Sequence, residues 1–360
     1  MDEHRQARPK GVSILICTYN GAQLVPETLQ YLAQQQVPAT VPWEVILVAN
    51  ACTDETRSVA QQCWRECGAP VPLRTFKQDR PGKNFALATA FAEARYCYVC
   101  IVDDDNRLAP HYVATGFRIL EQHSNIGVLG GQNSGAFAVP PPSWFSDFQA
   151  YYAVGIPNYY APGAAISLTQ ETDVTGSVLW GAGLFVRHSL WAKMQELAFQ
   201  SFFVGRVGTK NLTAGEDDEL CYVAAMLGYK VWYSPFLTLT HFMTAGRLTE
   251  VYRDKLFYSV ARGYTRLAAY RSALAHEQPR RGVTVTVLKD AAYLGLGLVR
   301  NLLSWGNLRA VFAGNPLFRM TLWQRTLMLF EFVAHLPAVR TYYVAAAKLK
   351  QKATQHYGNR

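Results

Sequence analysis

"NFALATAFAEARYCYVCIVDDD" (84–105) joins a strong helix former to a short apolar run that closes on three carboxylates. The first half is rich in Ala, with no Gly or Pro, and is expected to be helical over 84–95. The second half, "YCYVCIV", does not alternate apolar with polar, so it reads as a strand buried on both faces. Asp103, Asp104 and Asp105 then need a physical reason. Neighbouring carboxylates repel, and burying an unpaired one is expensive. A solvated turn relieves that repulsion, and so does a bound cation.

The same rhythm extends toward the N-terminus. "GVSILICTYN" (11–20) and "WEVILVANACTDET" (43–56) are apolar runs ending in polar residues, and "LRTFKQ" (73–78) is a third strand. Helices are expected at about 24–35 and 55–67, the second capped by Thr53 or Asp54. Alternating strands and helices build a mainly parallel α/β sheet with helices on both faces. Such sheets bind ligands beyond the carboxyl ends of their strands, where the acidic triplet falls. Toward the C-terminus, 132–165 is rich in Pro, Gly and aromatics, an irregular excursion suited to walling a site. "VLWGAGLFVRHSLWAKM" (178–194) reads as strand, Gly-containing segment and helix start. "GEDDELCYVAAMLGYKVWYSPFLTLTHF" (215–242) reads as an acidic helix opening, an apolar helix, and a strand ending at His241.

Half of the 360 residues are apolar and 17% are charged, which implies a well-buried core rather than disorder. Charge is distributed unevenly. Residues 1–250 hold 18 Lys/Arg and 22 Asp/Glu, whereas 251–360 hold 17 and 4, a net +13. This divides the chain into a catalytic α/β domain (1–250) and a basic helical extension (251–360). The extension's apolar stretches at 291–299 and 326–339 fall short of the roughly 18–20 residues needed to span a bilayer. Their mixture of Arg with Leu, Trp and Phe suits helices lying on an anionic membrane surface. The alternative is that they pack on the domain with arginines in solvent. No nucleic-acid-binding module is recognised. The seven cysteines show no framework spacing, and Cys63 and Cys67 lack a second ligand pair, so neither disulfides nor zinc are expected. The polar opening "MDEHRQARPKG" resembles no signal peptide, which implies a cytoplasmic protein, peripheral where it meets the membrane.

Two acidic clusters carry the chemistry. Along a strand, residues i and i+2 share a face, so Asp103 and Asp105 are expected to converge on Mn²⁺ or Mg²⁺, with Asp104 turned away. Such a cation stabilises a departing diphosphate. The second cluster, Glu216, Asp217, Asp218 and Glu219, opens a helix whose dipole favours acids. One of these is expected to take the proton from an attacking hydroxyl.

These segments, in this order, resemble the family 2 glycosyltransferases, inverting nucleotide-sugar enzymes of GT-A fold. The resemblance covers about 11–245. "VSILICTYNGAQLVPETLQYLAQQ" resembles the first strand and helix, "WEVILVANACTDET" the nucleotide-side loop, and "RPGKNFALATAFAEA" the helix before the metal strand. "VDDDNRL" resembles the Asp-x-Asp motif, "WGAGLFVRHSLW" the acceptor side, and "GEDDEL" the Glu-Asp motif.

The resemblance implies that Thr18, Tyr19 and Asn20 line the nucleobase and ribose pocket. It places Asn50 against the base, next to Ala49 where many members carry an acid. Arg80 and Lys83 would meet the diphosphate or base, and Asp103 and Asp104 the donor. Asp103, Asp105 and His241 would hold the metal. Asp217 becomes the base, with Asp218 one residue off the motif, and Glu216, Trp180 and Gly181 on the acceptor side.

The implied reaction moves a hexosyl or N-acetylhexosaminyl group from a nucleoside-diphosphate sugar to a hydroxyl by single displacement. A UDP-sugar is the expected donor, and a glycan, lipid-linked or cell-envelope molecule the acceptor. A processive polysaccharide synthase would add spanning helices and a Gln-x-x-Arg-Trp motif, which "YRDKLFYSVARGYTRL" (252–267) lacks. A sugar nucleotidyltransferase would carry a Gly-rich loop where "CTYNGAQ" (17–23) has one glycine. A catalytically inactive carbohydrate- or lipid-binding scaffold of this fold, or a polysaccharide synthase subunit, is the alternative.

Overall fold

β1 (Val12–Thr18) lies parallel to β2 (Trp43–Asn50), with Val12 opposite Trp43 and Thr18 opposite Ala49. All of β2, and all of β1 except Cys17, is buried, which accounts for their unbroken apolar sequences. The computed structural model describes residues 8–157, 169–203, 215–275, 282–314 and 316–358. The start of the polar N-terminal stretch and the end of the 132–165 excursion lie outside these.

Crossover helices α1 (Val25–Ala33), α2 (Thr56–Glu66) and α3 (Lys83–Glu93) follow the expected positions and link β1 to β2, β2 to β3 (Leu73–Gln78) and β3 to β4 (Tyr98–Val102) in turn. The Asp54 carboxylate accepts hydrogen bonds from the Thr56 amide (3.2 Å) and hydroxyl and from the Ala22 amide (3.2 Å). It therefore closes a local turn just before α2, whose N-cap is Glu55, and fastens the two strand-end loops together.

The remaining elements of the domain are β5 (Asn106–Leu108), α4 (Tyr112–Gln122), β6 (Ile126–Phe137), α5 (Phe145–Phe148) and β7 (Thr172–Asp173). They are followed by β8 (Leu184–Arg187), α6 (His188–Glu196), α7 (Glu216–Met226) and β9 (Lys230–Met243). The sheet order is β3-β2-β1-β4-β8-β6-β9-β5, with β7 beside β9. The first four strands are parallel, β8 runs antiparallel to β4 and β6, and β6 and β9 are parallel. The strand expected from Val178 begins only at Leu184, because Gly183 adopts φ +73° and interrupts extended backbone.

Alternate strand residues feed two cores. Leu15 and Ile46 point to one face, with α3 and α7, while Ile14, Ile16 and Leu47 point to the other, with α1, α2 and α4. An aromatic cluster of Phe145, Phe148, Tyr152, Met243 and Phe257 builds a third packing centre beside the sheet's ligand edge.

The described residues of the extension form five helices joined by short breaks: α8 (Glu250–Ala275), α9 (Val283–Leu303), α10 (Trp305–Phe312), α11 (Pro316–Ala334) and α12 (Leu336–Tyr357). Tyr270 of α8 and Val339, Tyr343 and Ala346 of α12 are buried in the first core, so these two helices pack on the α/β domain. Glu219 fastens α7 to α8. Its carboxylate accepts hydrogen bonds from Tyr270 Oη (2.8 Å), the Phe202 amide (2.8 Å) and the Ser201 hydroxyl. Burial pushes its carboxyl up to about 7. A carboxyl raised in the folded state favours folding below its unfolded value and loses that contribution as pH rises through the folded one. Between pH 5 and 8, Glu219→Gln is therefore expected to lose less melting temperature than wild type, measured by calorimetry at each pH.

Candidate active site

The carboxyl ends of β1, β2 and β4 open onto a cavity of about 410 Å³. Thr18, Tyr19, Asn50, Lys83 and the triplet Asp103–Asp105 line it from the strand ends. Trp180, Gly181, Glu216, Asp217 and Asp218 line it as well, together with His241, Arg247, Tyr152 and Tyr252.

β4 stops at Val102, so strand alternation ends before the triplet and the three carboxylates occupy a turn. The Asp103 amide donates to Asn106 Oδ1 (3.0 Å), and the Asn106 amide returns to the Asp103 carbonyl (3.2 Å). The side chains acquire different partners. Asp103 Oδ1 pairs with Lys83 Nζ at 2.7 Å. Asp104 accepts the Thr18 hydroxyl, and burial followed by the neighbouring Asp105 charge pushes its carboxyl up to about 7. Asp105 is 4% exposed, with Oδ2 2.7 Å from Arg247 Nη1 and Oδ1 3.3 Å from His241 Nε2. The expected pairing of Asp103 with Asp105 on one strand face gives way to two separate cationic partners. Asp104, expected to turn from the metal toward backbone donors or the sugar, lines the cavity.

His241 reaches Asp105 through sheet register. β5 runs antiparallel to β9 with Asn106 opposite His241, and the Phe242 amide donates to the Asp105 carbonyl at 2.9 Å. His241 Nδ1 donates to the Tyr152 carbonyl at 2.8 Å, which orients the ring.

Gly215 adopts φ +123° and turns the chain into α7, whose first turn carries the four acids. The Gly181 amide donates to Asp217 Oδ2 at 2.7 Å. A Cβ on residue 181 would sit 3.2 Å from that oxygen, so glycine permits the contact. Asp218 is half-buried at the cavity wall, and desolvation with the Asp217 charge raises its carboxyl well above the usual range despite Arg271. Asp217, fixed by the Gly181 amide at the cavity wall, has the placement a proton acceptor needs.

Two candidates fasten loops instead of lining the cavity. Asn20, at φ +52°, accepts the Thr53 amide on Oδ1 at 2.8 Å. Arg80 places its guanidinium 3.7 Å from the centroid of the Phe85 ring. Asn50 lines the cavity, but its amide group bonds the Gln78 and Arg80 carbonyls and the Gly82 amide, making it a loop staple. Arg247, Tyr152 and Tyr252 were not anticipated. The one local signal for Arg247 is a basic residue six positions after His241, in the short 3₁₀ turn Ala245–Leu248.

Residues 9–260 match the family described as "Glycosyltransferase like family 2". The chain belongs to this family. Among curated proteins, the poly(ribitol-phosphate) beta-N-acetylglucosaminyltransferase TarS of Staphylococcus aureus is 26% identical over 111 residues, 31% of this chain and 19% of TarS. The match thus spans about a fifth of that relative's length. The mannosyltransferase PcManGT from Pyrobaculum calidifontis, solved with GDP-Man and Mn²⁺, superposes at TM-score 0.51 and 18% identity, covering 96% of this chain and 90% of that one. TarS 1–349 in complex with UDP-GlcNAc superposes at 0.48 and 17% identity, covering 94% and 92%. The mostly parallel sheet with flanking helices is the GT-A fold of this glycosyltransferase family.

Proposed function

We propose that residues 1–250 form an inverting glycosyltransferase that moves a sugar from a nucleoside-diphosphate donor to an acceptor hydroxyl. One observation carries the reading. Asp217, held by the Gly181 amide, faces the same cavity as the Asp105–His241 pair, so a base and a diphosphate-binding edge meet there. Asp217 takes the proton of the acceptor hydroxyl, which attacks the anomeric carbon from the face opposite the leaving group. Lys83 and Arg247 direct positive charge at the departing diphosphate. Tyr19, 44% exposed at the rim, offers its ring to the base. A UDP-sugar is the first donor to test, and the acceptor is a glycan or lipid-linked hydroxyl.

Asp105 and His241 also suit a divalent cation. A carboxylate oxygen and an imidazole nitrogen already converge to 3.3 Å, and hydrogen bonding fixes the ring, as in metal-ligating histidines. Among the described residues no three acidic, His or Cys side chains form a ready cage. Two protein ligands with substrate phosphates are sufficient for Mn²⁺ or Mg²⁺. When bound, the ion neutralises charge on the leaving diphosphate. Stereochemistry tests the mechanism: from an α-linked donor, NMR should show a β-linked product, and a retained α linkage overturns single displacement.

For the extension we propose an anionic membrane surface as partner. No described helix is long and apolar enough to cross a membrane. Leu296, Val299 and Leu303 expose one face of α9. Trp305 (80%) and Phe312 (86%) project from α10, and Trp323 and Phe330 from α11. Arg300, Arg309 and Arg319 are exposed among them. Apolar insertion ringed by arginines, each worth about 1 kcal/mol near anionic lipid, is the composition of a surface-lying element. This reading makes the protein peripheral on the cytoplasmic face. Trp305→Ser/Phe312→Ser should abolish sedimentation with phosphatidylglycerol vesicles. Equal sedimentation of variant and wild type, or wild-type binding only to a protein partner, contradicts it.

A further inference from the structure

Arg247 places a single nitrogen between the two side chains assigned to the cation. Its Nη1 lies 2.7 Å from Asp105 Oδ2 and 3.1 Å from His241 Nε2. The Tyr152 carbonyl only accepts, so Nδ1 donates to it and the ring orientation is fixed, which points Nε2 at both Arg247 Nη1 and Asp105 Oδ1.

The surroundings explain why a cation is needed there without substrate. Asp105 and His241 are both buried, and Asp104 and Asp103 adjoin Asp105 in sequence. A buried carboxylate left uncompensated in that turn would be costly. Arg247 answers this from outside the sheet. It projects from a four-residue 3₁₀ turn directly after β9, on a long side chain that also lines the cavity.

We propose that Arg247 is an intramolecular stand-in for the divalent cation. It neutralises Asp105 in the empty enzyme, gives up its place when metal binds, and turns its guanidinium toward the donor diphosphate. This rests on the metal reading above. It makes empty-enzyme metal affinity a competition in which the protein's own charge is the competitor, coupled with an expected strength of about 5–150-fold.

Mn²⁺ binding without donor, read from the free-ion electron paramagnetic resonance signal, tests it together with melting temperature. Arg247→Met should bind Mn²⁺ at least about tenfold tighter than wild type. Its melting temperature should fall without metal and recover with Mn²⁺ by more than wild type gains. Arg247→Lys keeps a cation in place, so its Mn²⁺ affinity should stay within about threefold of wild type, which also secures the test if the methionine variant folds poorly. Metal-free UDP should bind Arg247→Met more weakly. Equal, measurable Mn²⁺ affinity in wild type and both variants overturns the stand-in while leaving the metal reading intact. A melting loss that Mn²⁺ does not restore marks a purely structural arginine and also overturns it. Absence of Mn²⁺ binding in every variant overturns the metal reading itself.

Discussion

Asp217→Asn is expected to lower sugar transfer by about 10²–10⁴-fold while donor affinity stays within a few-fold of wild type. Asparagine preserves the shape, and its Oδ1 still accepts the Gly181 amide that positions Asp217 at 2.7 Å. It cannot take a proton at neutral pH. Asp218→Asn should behave differently, although it changes the adjacent residue. The Gly181 amide holds Asp217 and not Asp218, whose carboxyl desolvation and the Asp217 charge raise well above the usual range, so a neutral amide there removes a charge the site disfavours. Transfer should then remain within about threefold of wild type, since no proton acceptor is lost. Assaying both variants at saturating donor separates the two carboxylates, and an equal loss in both contradicts the assignment of the base.

Asp105→Ala is expected to combine a large stability loss with loss of metal-dependent donor binding. The residue is buried, and its removal leaves Arg247 without the carboxylate 2.7 Å away. Breaking a buried pair by deleting one partner typically costs about 3–5 kcal/mol. Asp103→Ala provides the contrast. Its partner Lys83 lies at a similar distance, but the Asp103 side chain is 30% exposed, so solvent screens the pair and the expected cost is about 0–1 kcal/mol. Denaturant unfolding of the two variants measures the difference directly. Comparable losses would mean that burial does not separate the two carboxylates as described.

The parallel half of the sheet was legible because β1, β2 and β4 are buried on both faces, which leaves an unbroken apolar signature closing on polar loops. The acidic first turn of α7 was legible for a local reason as well, since helix openings favour carboxylates. What local sequence did not show depended on long-range geometry. The alternation that placed Asp103 beside Asp105 holds only inside a strand, and β4 ends at Val102, before either residue. Asn20 and Arg80 stand next to strand ends, as binding residues do, yet one fastens the Thr53 loop and the other lies over Phe85. Arg247 was invisible because the β5–β9 register and a turn after β9 bring it back to Asp105, and neither is written locally in "FMTAGRLTE" (242–250). The excursion after residue 132 was recognised as a wall from composition alone. That its Tyr152 carbonyl would set the His241 ring was not.

The central claim is that one cavity binds a nucleotide sugar at Asp105 and His241 and activates an acceptor at Asp217. Calorimetric titration of wild type, Asp217→Asn and Asp105→Ala with UDP- and GDP-sugars in Mn²⁺ tests it most directly. The account predicts saturable donor binding in wild type and Asp217→Asn, and none in Asp105→Ala at the same concentrations. Donor binding that persists undiminished in folded Asp105→Ala, or no binding of any nucleotide sugar to wild type, would contradict it.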